Sequence, residues 1–254
     1  MISTLRLILV AVAAAALASP AAAQVEPLTN EKIIRNFNIV AFGNEYTHKR
    51  YDKVRKWESP IRIGIQGKGY PPYFEEFVNQ QIDDLGRLTG HPIRLYYSFA
   101  LQKAKKLAKD FNPKKVNVIL FYLPTEKIPA AIAKYFDNDV AAVKKMIKVS
   151  TCFAKFGTRK NEIRWAIVVF PSHHSKEYIR ACVVEELTQI LGLANDSARV
   201  NPSIFNDRSQ HFELTEHDRW MIRMFYDTRI PWGMPRPDAL RWGKKILEEI
   251  RPGK

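Results

Sequence analysis

Across its 254 residues the chain carries 40 lysines and arginines against 26 aspartates and glutamates, a formal charge of +14. A balance this basic points toward anionic surfaces such as acidic polysaccharide, phospholipid headgroups or nucleic acid. Hydrophobic residues make up 46% of the chain, which excludes overall disorder, and the sequence holds no zinc-finger spacing or RNA-binding signature that would support a specific nucleic-acid role.

The opening stretch MISTLRLILVAVAAAALASPAAA, residues 1–23, places a basic residue (Arg6) before an apolar run and ends in small residues. That order predicts a cleavable secretory signal and hence an exported protein, periplasmic or extracellular. An uncleaved anchor is the alternative, although the apolar run is short for a permanent span. In an oxidising compartment the two cysteines, Cys152 and Cys182, predict a disulfide; two buried thiols are the other reading.

Residues 24–56 have weak periodicity and read as an N-terminal extension or a short helix covering the domain, 57–234 as the main domain, and 235–254 as a C-terminal helix and tail. In the domain, Ile61, Ile63 and Ile65 alternate with polar residues or glycine, as in a half-buried strand. Phe74, Phe77, Val78, Ile82, Leu85 and Leu88 follow at helical spacing up to Gly90, and a second strand begins after Pro92. Residues 101–110 are lysine-rich and suit a helix or surface loop, with solvated faces there and at Lys144 to Lys148. The apolar run from Val116 to Pro124 predicts a central strand, residues 128–136 a helix, residues 146–156 an extended segment, and residues 161–171 another strand.

After Pro171, Ser172 or Ser175 can cap a helix that Gly192 ends. Its expected buried stripe is Tyr178, Ile179, Cys182, Val183, Leu187, Ile190 and Leu191. Glu185 and Gln189 share one face with Glu186 beside them, and Asn195 follows after the turn.

The segment Glu185 to Asp196, EELTQILGLAND, resembles the metzincin zinc helix H-E-x-x-H-x-x-G-x-x-H-D. Glu185, Gln189 and Asn195 stand where the three ligand histidines would be, and Glu186 falls on the general-base glutamate. Downstream, NPSIFND resembles the Met-turn with Phe205 for the methionine, and residues 214–227 resemble the final metzincin helix, with Thr215 and Asp218 as a near capping box. The chain also resembles the DUF2927 domain proteins, exported bacterial proteins of unknown function, in its E-E-L-T-Q-x-L-G-L-x-N-D-S, S-I-F-N-D and D-x-x-x-I-R-x-x-Y-D-x-R-I segments.

These resemblances imply an α/β (α+β) zincin-like fold, a twisted mixed sheet packed on an active-site-type helix with a C-terminal helical part. Zinc prefers nitrogen or sulfur donors, so the loss of all three histidines removes the usual chemistry. One carboxylate and two amide oxygens at Glu185, Gln189 and Asn195 suit a non-zinc divalent ion better, with Asp196 or Asp207 to complete the set. Otherwise no cofactor is expected, and the same residues form a buried hydrogen-bond network or a metal-free acid–base site on Glu186. A zinc site rebuilt from His173, His174, His211 and His217 matches no known ligand spacing. Three functions follow: a non-catalytic module binding a peptide or envelope component, an unorthodox hydrolase with Glu186 as general base, and a basic protein binding an anionic envelope polymer.

Overall fold

A computed structural model describes residues 27–44, 49–206, 208 and 211–253. The expected signal and Asp207 lie outside the described residues. The first helix, α1 (Asn30–Phe42), is capped by Thr29, whose hydroxyl accepts from the Lys32 amide. Its Ile33, Phe37, Val40 and Phe42 are fully buried, so this segment joins the main core.

The isoleucine alternation becomes β1 (Ile61–Gln66), followed by α2 (Pro72–Thr89) and β2 (Ile93–Tyr97). Gly90 closes α2 in the left-handed region. Only the first three residues of the lysine-rich stretch are helical, as the end of α3 (Phe99–Lys103) capped by Ser98, and the exposed lysines follow in turns. The apolar run forms β3 (Val118–Leu123), and α4 (Ile128–Ile132) follows. The expected extended segment needs correction at its start. Asp139 accepts from the Ala142 amide and caps α5 (Val140–Val149), so Met146 to Val149 are helical and β4 (Phe153–Arg159) begins only after them.

Lys160 and Asn161, both at positive φ, then turn β4 into β5 (Glu162–Pro171), as a two-residue hairpin requires. Three helices complete the chain, α6 (Lys176–Gln189), α7 (Glu216–Tyr226) and α8 (Arg236–Ile250).

The sheet is mixed and five-stranded, in the order β2-β1-β3-β5-β4. β1 runs parallel to β2 and β3, β3 runs parallel to β5, and β4 is the antiparallel edge. This is an α+β arrangement. Side chains alternate across β5, so Ala166, Val168 and Phe170 join the main core with α2 and α6. Ile167 and Val169 pack on the other face with Ile128, Ile132 and Val143 of α4 and α5. Among the described residues no helix is long and apolar enough to cross a membrane.

Candidate functional site

Helix α6 starts at Ser175, whose hydroxyl accepts from the Tyr178 amide. Its C-terminal end is fixed from outside. The Trp57 indole donates to the Ile190 carbonyl at 2.8 Å and the Tyr226 hydroxyl to the Leu191 carbonyl at 3.0 Å. Gly192 turns the chain at φ +111, and a Cβ there would fall 2.1 Å from the Arg55 carbonyl oxygen. Only glycine meets both demands. Cys182, one turn before Glu186, is joined to Cys152 ahead of β4, with Cα atoms 6.0 Å apart.

Over the last turns of α6 lies a cleft of about 500 Å³. Glu185, Glu186, Gln189 and Asp196 line it together, with Ile204, Asn206 and His211 from the following loop. Glu186 is only 4% exposed. The Gln189 amide donates to Asp196 Oδ2 at 2.9 Å and to Glu185 Oε1 at 3.4 Å, bridging two carboxylates. Asn195 does not join them. Its amide donates to the Ile39 carbonyl at 3.2 Å, near the end of α1, and Gly43 leaves room for it where a Cβ would lie 2.5 Å from its Cγ.

A divalent ion here would need oxygens of Glu185, Gln189 and Asn195 turned to one point. Instead Gln189 presents its NH₂ to the carboxylates and Asn195 faces α1, so the side chains as arranged do not fit the ion. Nor do the histidines converge. His211 lines the cleft, His173 and His174 sit on the loop before α6, and His217 is buried against Asn36 at 3.1 Å. Among the described residues no group of three His, Cys, Asp or Glu side chains is placed to hold a metal.

The rim corrects the expected stripe. Tyr178 is 56% exposed and lines the cleft, as do Phe212 (50%) and Val149 (71%). The stripe narrows at the first turn of α6, where the Tyr178 ring meets His174 at 6.3 Å and Phe212 at 6.4 Å rather than the sheet. The His174 ring also lies tilted against His173 with centroids 4.0 Å apart, and burial beside that ring lowers its pKa.

The far wall is set by Asp218. Buried at the start of α7, its carboxylate accepts from the Ser203 hydroxyl at 2.5 Å, the Ile204 amide at 3.1 Å and the Thr215 amide at 3.0 Å. Thr215 and Asp218 form a full capping box. Phe205 is thereby sunk in the core while Ile204 and Asn206, on either side of it, face the cleft.

Edge strand β4 runs beside the site. Ser150, Thr151 and Cys152 line the acidic cleft, and Ala154, Lys155 and Phe156 line a second pocket of about 280 Å³ with Arg55 and Tyr51. Gln189 lines both. Arg55, Tyr178 and Phe212 are site residues that sequence reasoning missed. A signal for the first existed in Arg55-Lys56-Trp57, two cations and an aromatic shortly before the first strand.

The family model for proteins of unknown function termed DUF2927 matches residues 30–242. The chain belongs to the DUF2927 family. The match spans α1 to the middle of α8, so α1, the cleft and β4 are all parts of the DUF2927 unit. No curated protein and no solved structure matches the chain.

Proposed function

We propose that this DUF2927 protein is an exported, non-catalytic peptide-binding module built on a metzincin-like cleft. The observation that carries the reading is the concentration of exposed apolar side chains. Of the five large hydrophobics exposed among the described residues, Val149, Tyr178 and Phe212 line one cleft. Clustered exposed apolar side chains with a few convergent polar groups mark binding sites. β4 supports a peptide as the occupant, because no described strand pairs with its outer edge and an extended chain can add there by backbone hydrogen bonds. An antiparallel edge strand beside the Glu185-Glu186-x-x-Gln189 helix also supports the metzincin-like ancestry. Carboxylates on the cleft floor disfavour an anionic polymer as its occupant, despite the basic surface.

The test is selection of random heptapeptides on the purified protein, with the double variant Tyr178→Ser/Phe212→Ser as counter-target. Enriched peptides are expected to bind the wild type about tenfold or more tightly than the double variant, the loss typical of removing aromatic anchors. Peptides that bind both equally would place the occupant elsewhere and contradict the reading. A hydrolase is the second reading, favoured by Glu186 lying in the same cleft. In it Glu186 would accept a proton from water attacking the scissile carbonyl.

A further inference from the structure

Arg55 is 6% exposed, and burial lowers its guanidinium pKa to about 10, so it is charged at neutral pH. A buried cation is costly unless it is paired. Tyr51 offsets part of that cost through its side chain, yet the backbone acceptors of Arg55 are weak. Its Nη2 donates to the carbonyls of Ala41 at 3.5 Å and Gly43 at 3.4 Å, both at the long end of hydrogen-bond range, and its Nε has no hydrogen-bond partner. The ring of Tyr51 lies 3.4 Å from the guanidinium carbon and Phe156 at 5.2 Å, which holds the group in place without neutralising it. Among the described residues no carboxylate forms an ion pair with it.

The pocket that Arg55 lines supplies a second cation, Lys155, whose ammonium donates to the Tyr135 carbonyl and sits 4.1 Å from the Phe136 ring. Phe136, Met146 and Phe156 give the pocket an apolar wall, and Asn44 and Gln189 add polar groups to the rest of its lining. Two cations against an apolar wall match an anionic group attached to a hydrophobic one. Position narrows the source. The pocket adjoins the acidic cleft across Gln189, and both lie in sequence along the chain from Ser150 to Phe156. A chain laid along that edge would pass the carboxylates of Glu185 and Asp196 and end beside the cations.

Resting on the peptide-binding reading above, we propose that this second pocket takes the C-terminal carboxylate of a bound peptide, with Arg55 and Lys155 as its cationic partners and the apolar wall holding the last side chain. The acidic cleft and the basic pocket then fix the direction in which the peptide lies.

The experiment compares N-acetyl-Ala-Ala-Ala-Ala-Phe as the free acid and as the C-terminal amide, titrated into isotope-labelled protein and followed by amide chemical shifts, with inorganic phosphate as a competitor. The free acid is expected to bind about tenfold more tightly than the amide, a preference for a charge-assisted pair that Arg55→Gln and Lys155→Gln each reduce. Lys155 is half-buried in a pocket wall, so its variant keeps the test open if Arg55→Gln fails to fold. Acid and amide binding equally, with shifts confined to the acidic cleft, would overturn the carboxylate site and leave the peptide reading standing. Neither binding would count against both. Phosphate displacing the acid at equal concentration would overturn the assignment to a peptide carboxylate.

Discussion

Lys56 is a buried cation held by backbone carbonyls. Its buried ammonium donates to the carbonyls of Phe225 at 3.1 Å and Asp227 at 3.5 Å, and to that of Ile230, at the C-terminal end of α7 where a helix favours a cation. Burial lowers its pKa from 10.5 to about 8, with Asp227 and Glu58 opposing the shift. The folded value lies below the unfolded one, so the cost of the charged form is fully present below pH 8 and is relieved as pH rises to about 10.5. Stability of the wild type relative to Lys56→Met should therefore grow by up to about 3 kcal/mol across that window, read from urea unfolding at each pH. A gap that stays constant would mean that Lys56 is not held as a buried cation. Gly192 gives a second test at this scale. Gly192→Ala should cost at least about 2 kcal/mol, because the new Cβ meets the Arg55 carbonyl in a conformation alanine avoids. A loss below about 0.5 kcal/mol, the range of ordinary surface changes, would contradict the close approach.

At the scale of elements, β1, β3, β5, α2 and α6 were legible because their periodicity is strong and local, whereas the end of α5 reads as extended in the sequence. Ile61 to Gln66 and Val118 to Leu123 became strands, and the Thr215–Asp218 capping box formed as the sequence suggests. The site was legible only in part. Glu185, Glu186 and Gln189 face one cleft because a helix fixes their relative directions. Asn195 lies beyond the glycine turn, where direction depends on tertiary partners, and it faces α1. Tyr178 fits the apolar period but sits on a first turn that opens onto the cleft. Arg55 and Lys56 close the expected extension and Trp57 opens the expected domain, yet these consecutive residues donate to carbonyls at the ends of α1, α7 and α6. No local pattern announces that role, since the carbonyls come from three distant segments. The Asp218 hub is of the same kind. Asp218→Ala should destabilise the protein by about 3 kcal/mol and release Ser203 and Ile204, since it removes several hydrogen bonds to one buried carboxylate. Chemical denaturation and exchange of the Ile204 amide would check both effects, and unchanged protection at Ile204 would contradict the hub.

For the whole molecule, overall charge and local charge differ in sign. The chain is strongly basic, while the floor of its main cleft is lined by Glu185, Glu186 and Asp196. Composition alone pointed toward anionic partners, and composition cannot resolve where charge sits. Geometry separates an acidic cleft from a basic pocket along one sheet edge, and that separation favours a directional ligand such as a peptide. The same arrangement divides binding from catalysis. In the proposed reading binding would rest on Val149, Tyr178, Phe212 and the β4 edge, whereas hydrolysis would rest on Glu186 alone.

The most direct measurement is therefore made on the peptides selected by the wild type, each incubated with wild type and with Glu186→Gln. Affinity is read by fluorescence anisotropy and peptide integrity by mass spectrometry. The account predicts affinities within about twofold of each other, because Glu186 sits beneath the rim that supplies the contacts, and intact peptide in both incubations. Peptide cleaved by the wild type and left whole by Glu186→Gln would contradict it and make the protein a hydrolase.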